Sequence, residues 1–164
     1  MNIFLDVDDV VLKWQEAYAS RYKCEIPKRW RSSKMMTERL SELRKDKEFW
    51  VNLEPKHRPN FIPAGFVSAR SIPVQWTKDA MKKHNIPGRS TIIHVDWGES
   101  KIDILKELKC DIFIDDRYKT FRECQKNGVF CLLMDASHNQ HVKTKYRIYD
   151  LDIENILSLW RKLR

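Results

Sequence analysis

A chain of 164 residues that is 42% hydrophobic is long enough for one full α/β core with a small insertion. No stretch approaches 18 consecutive apolar residues, which argues against a membrane span, and acidic residues arrive too early for a signal peptide, so the expected setting is cytoplasmic. The formal net charge of +8 points toward anionic partners, nucleotides first and nucleic acid second, although a basic surface is also an ordinary route to solubility.

The first apolar run, residues 2–5, has the composition of a buried strand and stops at Asp6-Val7-Asp8-Asp9. Asp6 and Asp8 alternate around Val7, so both can face the same space at the strand tip. Residues 14–22 then show helical spacing. From about 24 to 59 the chain turns basic and tryptophan-containing, without a good strand. Within that block lies Lys28-Arg29-Trp30-Arg31, and residues 35–46 read as a helix with Ser33 as a candidate cap.

A second strand at 65–67 ends in Ser68-Ala69-Arg70-Ser71. Regular alternation follows, with helices at 73–84, 100–108, 118–126 and 153–163 and strands at 91–95, 112–114 and 129–134. Strands separated by helices imply βαβ units and a Rossmann-like parallel sheet flanked by helices. The expected core is 1–13 and 60–164. Residues 14–59 form a small helical cap inserted after the first strand, placed to act as a lid. Cys24, Cys110, Cys124 and Cys131 show no paired ligand spacing and read as reduced thiols.

The strand at 112–114 repeats the opening grammar by running into Asp115-Asp116. Two carboxylates about 4 Å apart repel by roughly 4 kcal/mol at an effective dielectric of 20, so gathering these acids calls for a cation or a proton. All-oxygen ligands favour a hard cation, magnesium above calcium. The competing reading is that each acidic pair merely caps a helix. His94 and Asp96 flank Val95 but lack a third ligand of matching type, and most of the tryptophans read as core.

The order strand-Asp6-Val7-Asp8-Asp9, strand-Ser68-Ala69-Arg70, Lys101, strand-Asp115-Asp116 resembles the haloacid dehalogenase superfamily of phosphohydrolases. Within it the chain is similar to the 5'(3')-deoxyribonucleotidases and small bacterial and phage nucleotidases. The likeness lies in the early helical insertion, Ile114-Asp115-Asp116-Arg117, and the helix end at residues 80–87. The resemblance implies Asp6 as nucleophile and Asp8 as general acid and base. It implies a magnesium ion on Asp6, the backbone carbonyl of Asp8 and Asp115, with Asp116 a further ligand through water or an orienting group, and a phosphate held by Ser68, Ala69 and Lys101. Lys106 is a rival for the lysine. Asp9 stands where many such nucleotidases carry glycine, and Asp is the next best residue for an unusual backbone turn.

Trp14, Arg29, Trp30, Arg31 and Arg70 are the candidates for contact with the rest of the substrate. The implied activity is a magnesium-dependent phosphatase of a nucleoside monophosphate. The alternatives are a phosphatase of polynucleotide (3'-) ends and a basic nucleic-acid-binding module with a vestigial site. The sequence leaves the base, the sugar and the oligomeric state open.

Overall fold

This computed structural model describes residues 1–26, 28, 34–89 and 91–164; Arg29, Trp30, Arg31 and Ser33, singled out above, lie outside the described residues. Six strands form one parallel sheet: β1 (Ile3–Leu5), β2 (Gly65–Ala69), β3 (Ile92–Val95), β4 (Ile112–Asp115), β5 (Cys131–Met134) and β6 (Arg147–Ile148), in the order β3-β2-β1-β4-β5-β6. β1 lies between β2 and β4, where the strand order reverses. In open α/β sheets, ligand sites form at such a switch point, past the carboxyl ends of the strands.

Period-two alternation explains why the strands read as continuous apolar runs. Leu5, Ile112, Ile114, Leu132 and Met134 join one core cluster, whereas Phe4, Phe113, Cys131 and Leu133 join another, so both faces are covered. The register sets Phe4 against Phe113 and Leu5 against Ile114. Asp6 N–H then donates to Ile114 O at 2.8 Å, which carries Asp6 out of the sheet beside Asp115.

Helices α1 (Trp14–Tyr22), α2 (Lys34–Leu43) and α3 (Lys47–Val51) lie between β1 and β2. The helix expected at 35–46 is α2, which ends at Leu43, and α3 is a further helix that the sequence reading did not include. Asp46 breaks the run because its side chain accepts from Phe49 N–H at 3.1 Å and caps α3. Helices α4 (Val74–Lys83), α5 (Ile102–Glu107), α6 (Tyr118–Lys126) and α7 (Ile153–Leu163) alternate with the later strands as expected. β6, only two residues long, and a 3-10 turn at Ser137–Asn139 carry too little pattern to be read from sequence. Among the described residues no helix is long and apolar enough to cross a membrane, and all four cysteines are free thiols.

Candidate active site

The chain reverses sharply after β1. Val11 and Leu12 N–H both donate to Val7 O at 3.0 and 2.9 Å, and Asp9 takes a left-handed conformation with φ of 59°. This is the backbone shape for which glycine is preferred and Asp tolerated. Asp9 gains a compensating contact, since its Oδ1 accepts from Gln15 N–H at 3.0 Å in the first turn of α1. The reversal leaves Asp6 buried and Asp8 half-buried on the floor of one cleft.

The tip of β4 brings the second acidic pair to the same place. Lys101, at the start of α5, bridges the two strand tips: its Nζ lies 2.7 Å from Asp115 Oδ2 and 3.0 Å from Asp6 Oδ1. Asp115 Oδ1 accepts from Arg117 N–H at 2.7 Å. Asp6, Asp115 and Asp116 each offer an oxygen within 4.8 Å of the others, and all three residues are buried. Asp8 lines the same cleft but pairs with Arg70. Arg70 Nε and Nη2 grip its two oxygens at 3.0 and 2.6 Å, while Arg70 Nη1 donates to Thr77 Oγ1 at 2.8 Å.

Five carboxylates therefore crowd one site: Asp6, Asp8, Asp9, Asp115 and Asp116. Around them stand Lys101, Arg70, His138 at 3.0 Å from Asp116 and Lys56, which lies 3.8 Å from Asp9 and 3.4 Å from Glu16. Burial and mutual repulsion raise the proton affinity of three of these carboxyls. Burial pushes the Asp8 carboxyl upward against the pull of Arg70, with Asp6 and Asp116 adding to the rise. Burial and then Asp116 push Asp9 well up. Burial also raises Asp115, opposed by Lys101 and reinforced by Asp6 and Asp116. Burial alone would discharge Lys101, yet Asp115 and Asp6 hold its ammonium firmly charged. A buried cluster of carboxylates whose oxygens lie within 4.8 Å of one another fits a hard divalent cation.

Ser68, at the end of β2, is 1% exposed, and its hydroxyl finds no hydrogen-bond partner among the described residues. It lines the cleft beside Ala69. A buried hydroxyl without a partner costs roughly 1–3 kcal/mol, and this one leaves a hydrogen-bonding position open at the cleft. Lys106 is exposed on α5, away from the acids that Lys101 touches.

The cleft is also lined by Trp14 from α1, Leu40 from α2, Trp50 from α3 and Trp97 after β3, together with Arg44 and Arg117. Trp14 is buried and stacks on Tyr18 at 5.1 Å. Trp50 belongs to the core and also lies over the Arg70 guanidinium at 4.9 Å, so core and cleft share it. His94 and Asp96 point apart in role. His94 bonds Thr77 Oγ1 and Ile72 O, both at 3.0 Å, and Asp96 accepts from the Ser71 hydroxyl at 3.1 Å.

Sequence reasoning passed over His138, which lies 3.0 Å from Asp116 Oδ2, and Asn139, which donates to Asp116 O at 2.7 Å. The available signal was a polar Ser-His-Asn cluster directly after β5, at the carboxyl edge of the sheet.

Along almost its whole length the chain superposes on an L-2-haloacid dehalogenase of known crystal structure, with a TM-score of 0.57 at 10% identity, covering 99% of this chain and 97% of that one. The fold is thus haloacid dehalogenase-like. No family model matches the sequence, and no curated protein matches it.

Proposed function

We propose that this protein is a magnesium-dependent phosphomonoesterase whose substrate is a nucleoside monophosphate. The observation that carries the reading is the convergence of Asp6, Asp8, the buried Ser68 hydroxyl and Lys101 at the switch point, with Asp115 and Asp116 alongside. Asp6 attacks phosphorus and an oxygen–phosphorus bond forms on its carboxylate. The ester oxygen leaves and takes a proton from Asp8. Water then attacks the aspartyl phosphate while Asp8 accepts its proton, which frees inorganic phosphate and restores Asp6. Ser68 and the backbone at Ala69 hold a phosphate oxygen, and Lys101 offsets its charge. Asp6, the Asp8 carbonyl, Asp115 and Asp116 would hold the magnesium ion. When bound it neutralises phosphoryl charge that these carboxylates would otherwise repel.

Beyond the phosphate, the substrate meets a wall that includes Trp14, Trp50 and Trp97 together with Arg44 and Arg117. That wall suits a flat aromatic base, which stacks on such surfaces for about 1–3 kcal/mol. Helices α1 to α3 supply most of it and act as the lid. The net charge of +8 supports a second reading, a phosphate at a polynucleotide end.

Hydrolysis of p-nitrophenyl phosphate with magnesium and with EDTA tests the chemistry. Turnover that requires the metal is expected. No turnover with any divalent metal, together with tight salt-sensitive DNA binding, would replace the enzyme by a nucleic-acid-binding module. A screen of mononucleotides against 3'-phosphorylated oligonucleotides, at two salt concentrations, then separates the two substrates, because each phosphate neutralised on a polymer steepens the salt dependence.

A further inference from the structure

Asp116 is gripped from a turn that is remote in sequence. His138 Nε2 lies 3.0 Å from Asp116 Oδ2 and 3.1 Å from Asp116 O. Asn139 Nδ2 donates to that same carbonyl and to Met134 O, both at 2.7 Å, so the turn is pinned to the ends of β4 and β5. On the far side of the imidazole, Gln15 Nε2 stands 2.8 Å from His138 Nδ1, and the Ser137 hydroxyl donates to Gln15 Oε1 at 3.1 Å.

The direction of this relay follows from its members. An amide nitrogen only donates, so Nδ1 is the acceptor and the ring proton sits on Nε2, aimed at Asp116. Gln15, His138 and Asn139 are all buried, so water does not compete for these bonds. Gln15 also donates its backbone N–H to Asp9, which ties the relay to the reversal after β1. A neutral donor orients a carboxylate and leaves its negative charge in place. A cationic partner would orient it and cancel the charge.

We infer that His138, held by Gln15, is a positioning residue that aims the Asp116 carboxylate at the cation, so that the 137–139 turn and α1 together set the magnesium affinity. This rests on the metal-dependent reading above. Groups that orient a metal ligand in this way are typically worth 10–100-fold in metal affinity.

The test is calorimetric titration of magnesium into EDTA-stripped protein, with thermal melts and near-ultraviolet dichroism to establish folding. His138→Phe fills the space and removes the donor, and it should weaken magnesium binding by about 10–100-fold. His138→Gln retains an amide N–H toward Asp116 and should stay within a few-fold of wild type. Gln15→Leu should give an intermediate loss.

A folded His138→Phe protein with wild-type affinity overturns the inference, as does a Gln variant no better than Phe. Should His138→Phe fail to fold, unchanged affinity in folded Gln15→Leu overturns it equally. Wild-type protein that binds no magnesium would bring down the metal reading, and this inference with it. That result is distinct from binding which the variants leave untouched.

Discussion

A histidine stands behind the site on each flank, and the two are used in opposite ways. On the β2–β3 side, His94 accepts from the Thr77 hydroxyl, Thr77 accepts from Arg70, and Arg70 delivers a full positive charge to both oxygens of Asp8. On the β4–β5 side, the chain from Gln15 through His138 ends in a neutral N–H on Asp116. One carboxylate has its charge answered by the protein, and the other has only its direction fixed. On the proposed reading Asp8 gains and loses a proton, and Arg70 opposes the rise that burial imposes on it. A group that is to meet a cation needs orientation without neutralisation.

Asp6 sits between the flanks, and the largest effect is expected there. Asp6→Asn keeps the shape but offers a far poorer nucleophile, so turnover should fall by about 10⁴-fold or more while the melting curve stays cooperative. Near-normal turnover from a homogeneous Asp6→Asn sample would end the nucleophile assignment, whichever flank matters more.

Arg70→Met tests the charged flank directly. Stranding one member of a buried ion pair costs about 3–5 kcal/mol. The Asp8 side chain is 22% exposed, so water relieves part of this and a loss of about 3 kcal/mol is expected in urea unfolding without metal. Adding Asp8→Asn should recover most of it, because the stranded charge is gone. His138→Phe strands no such charge and should cost less, about 1–3 kcal/mol for an unmet acceptor. Equal losses on the two flanks, with no recovery in the double variant, would erase the distinction between them.

The unequal legibility of the flanks has a physical cause. Asp6, Asp8, Asp115 and Asp116 could be read from sequence because strand tips concentrate reactive groups, and a run of acids after an apolar stretch is visible in one dimension. Lys101 is singled out only through the resemblance, since a lone lysine at a helix start reads as a solvated face. Arg70 was visible as part of the same strand end, but its role was not, since the pairing with Asp8 spans 62 positions and depends on α4 and β3. His138 lies 123 positions from Gln15 in a turn with no periodicity, so only the folded chain brings them together. Trp50 and Trp97 were assigned to the core by composition, and they serve both core and cleft because α3 and the loop after β3 end at the cleft wall.

The smallest effect expected is a pH dependence specific to the charged flank. His94 donates from Nδ1 to Ile72 O and accepts from Thr77 at Nε2, so the fold uses the neutral ring. Burial lowers its pKa to about 4; the Ile72 carbonyl opposes this and the Arg70 charge adds to it. The folded value lies below the ordinary 6.5, so the unfolded chain binds the proton more readily. Stability contributed by neutral His94 is therefore complete above about 6.5 and drains away as pH falls toward 4. His94→Gln cannot titrate, whereas every other group is shared with the wild type. Urea midpoints measured from pH 7.5 down to pH 5 should fall faster for the wild type than for the variant, which narrows the gap between them. Protonation in the folded protein would set a second cation beside Arg70, but with a folded pKa of about 4 this lies below the tested range, so activity of the two proteins should change in parallel down to pH 5. Parallel slopes of the urea midpoints for the two proteins would show that His94 packs behind Thr77 without its charge mattering, and Arg70 would then owe its hold on Asp8 to its own geometry alone.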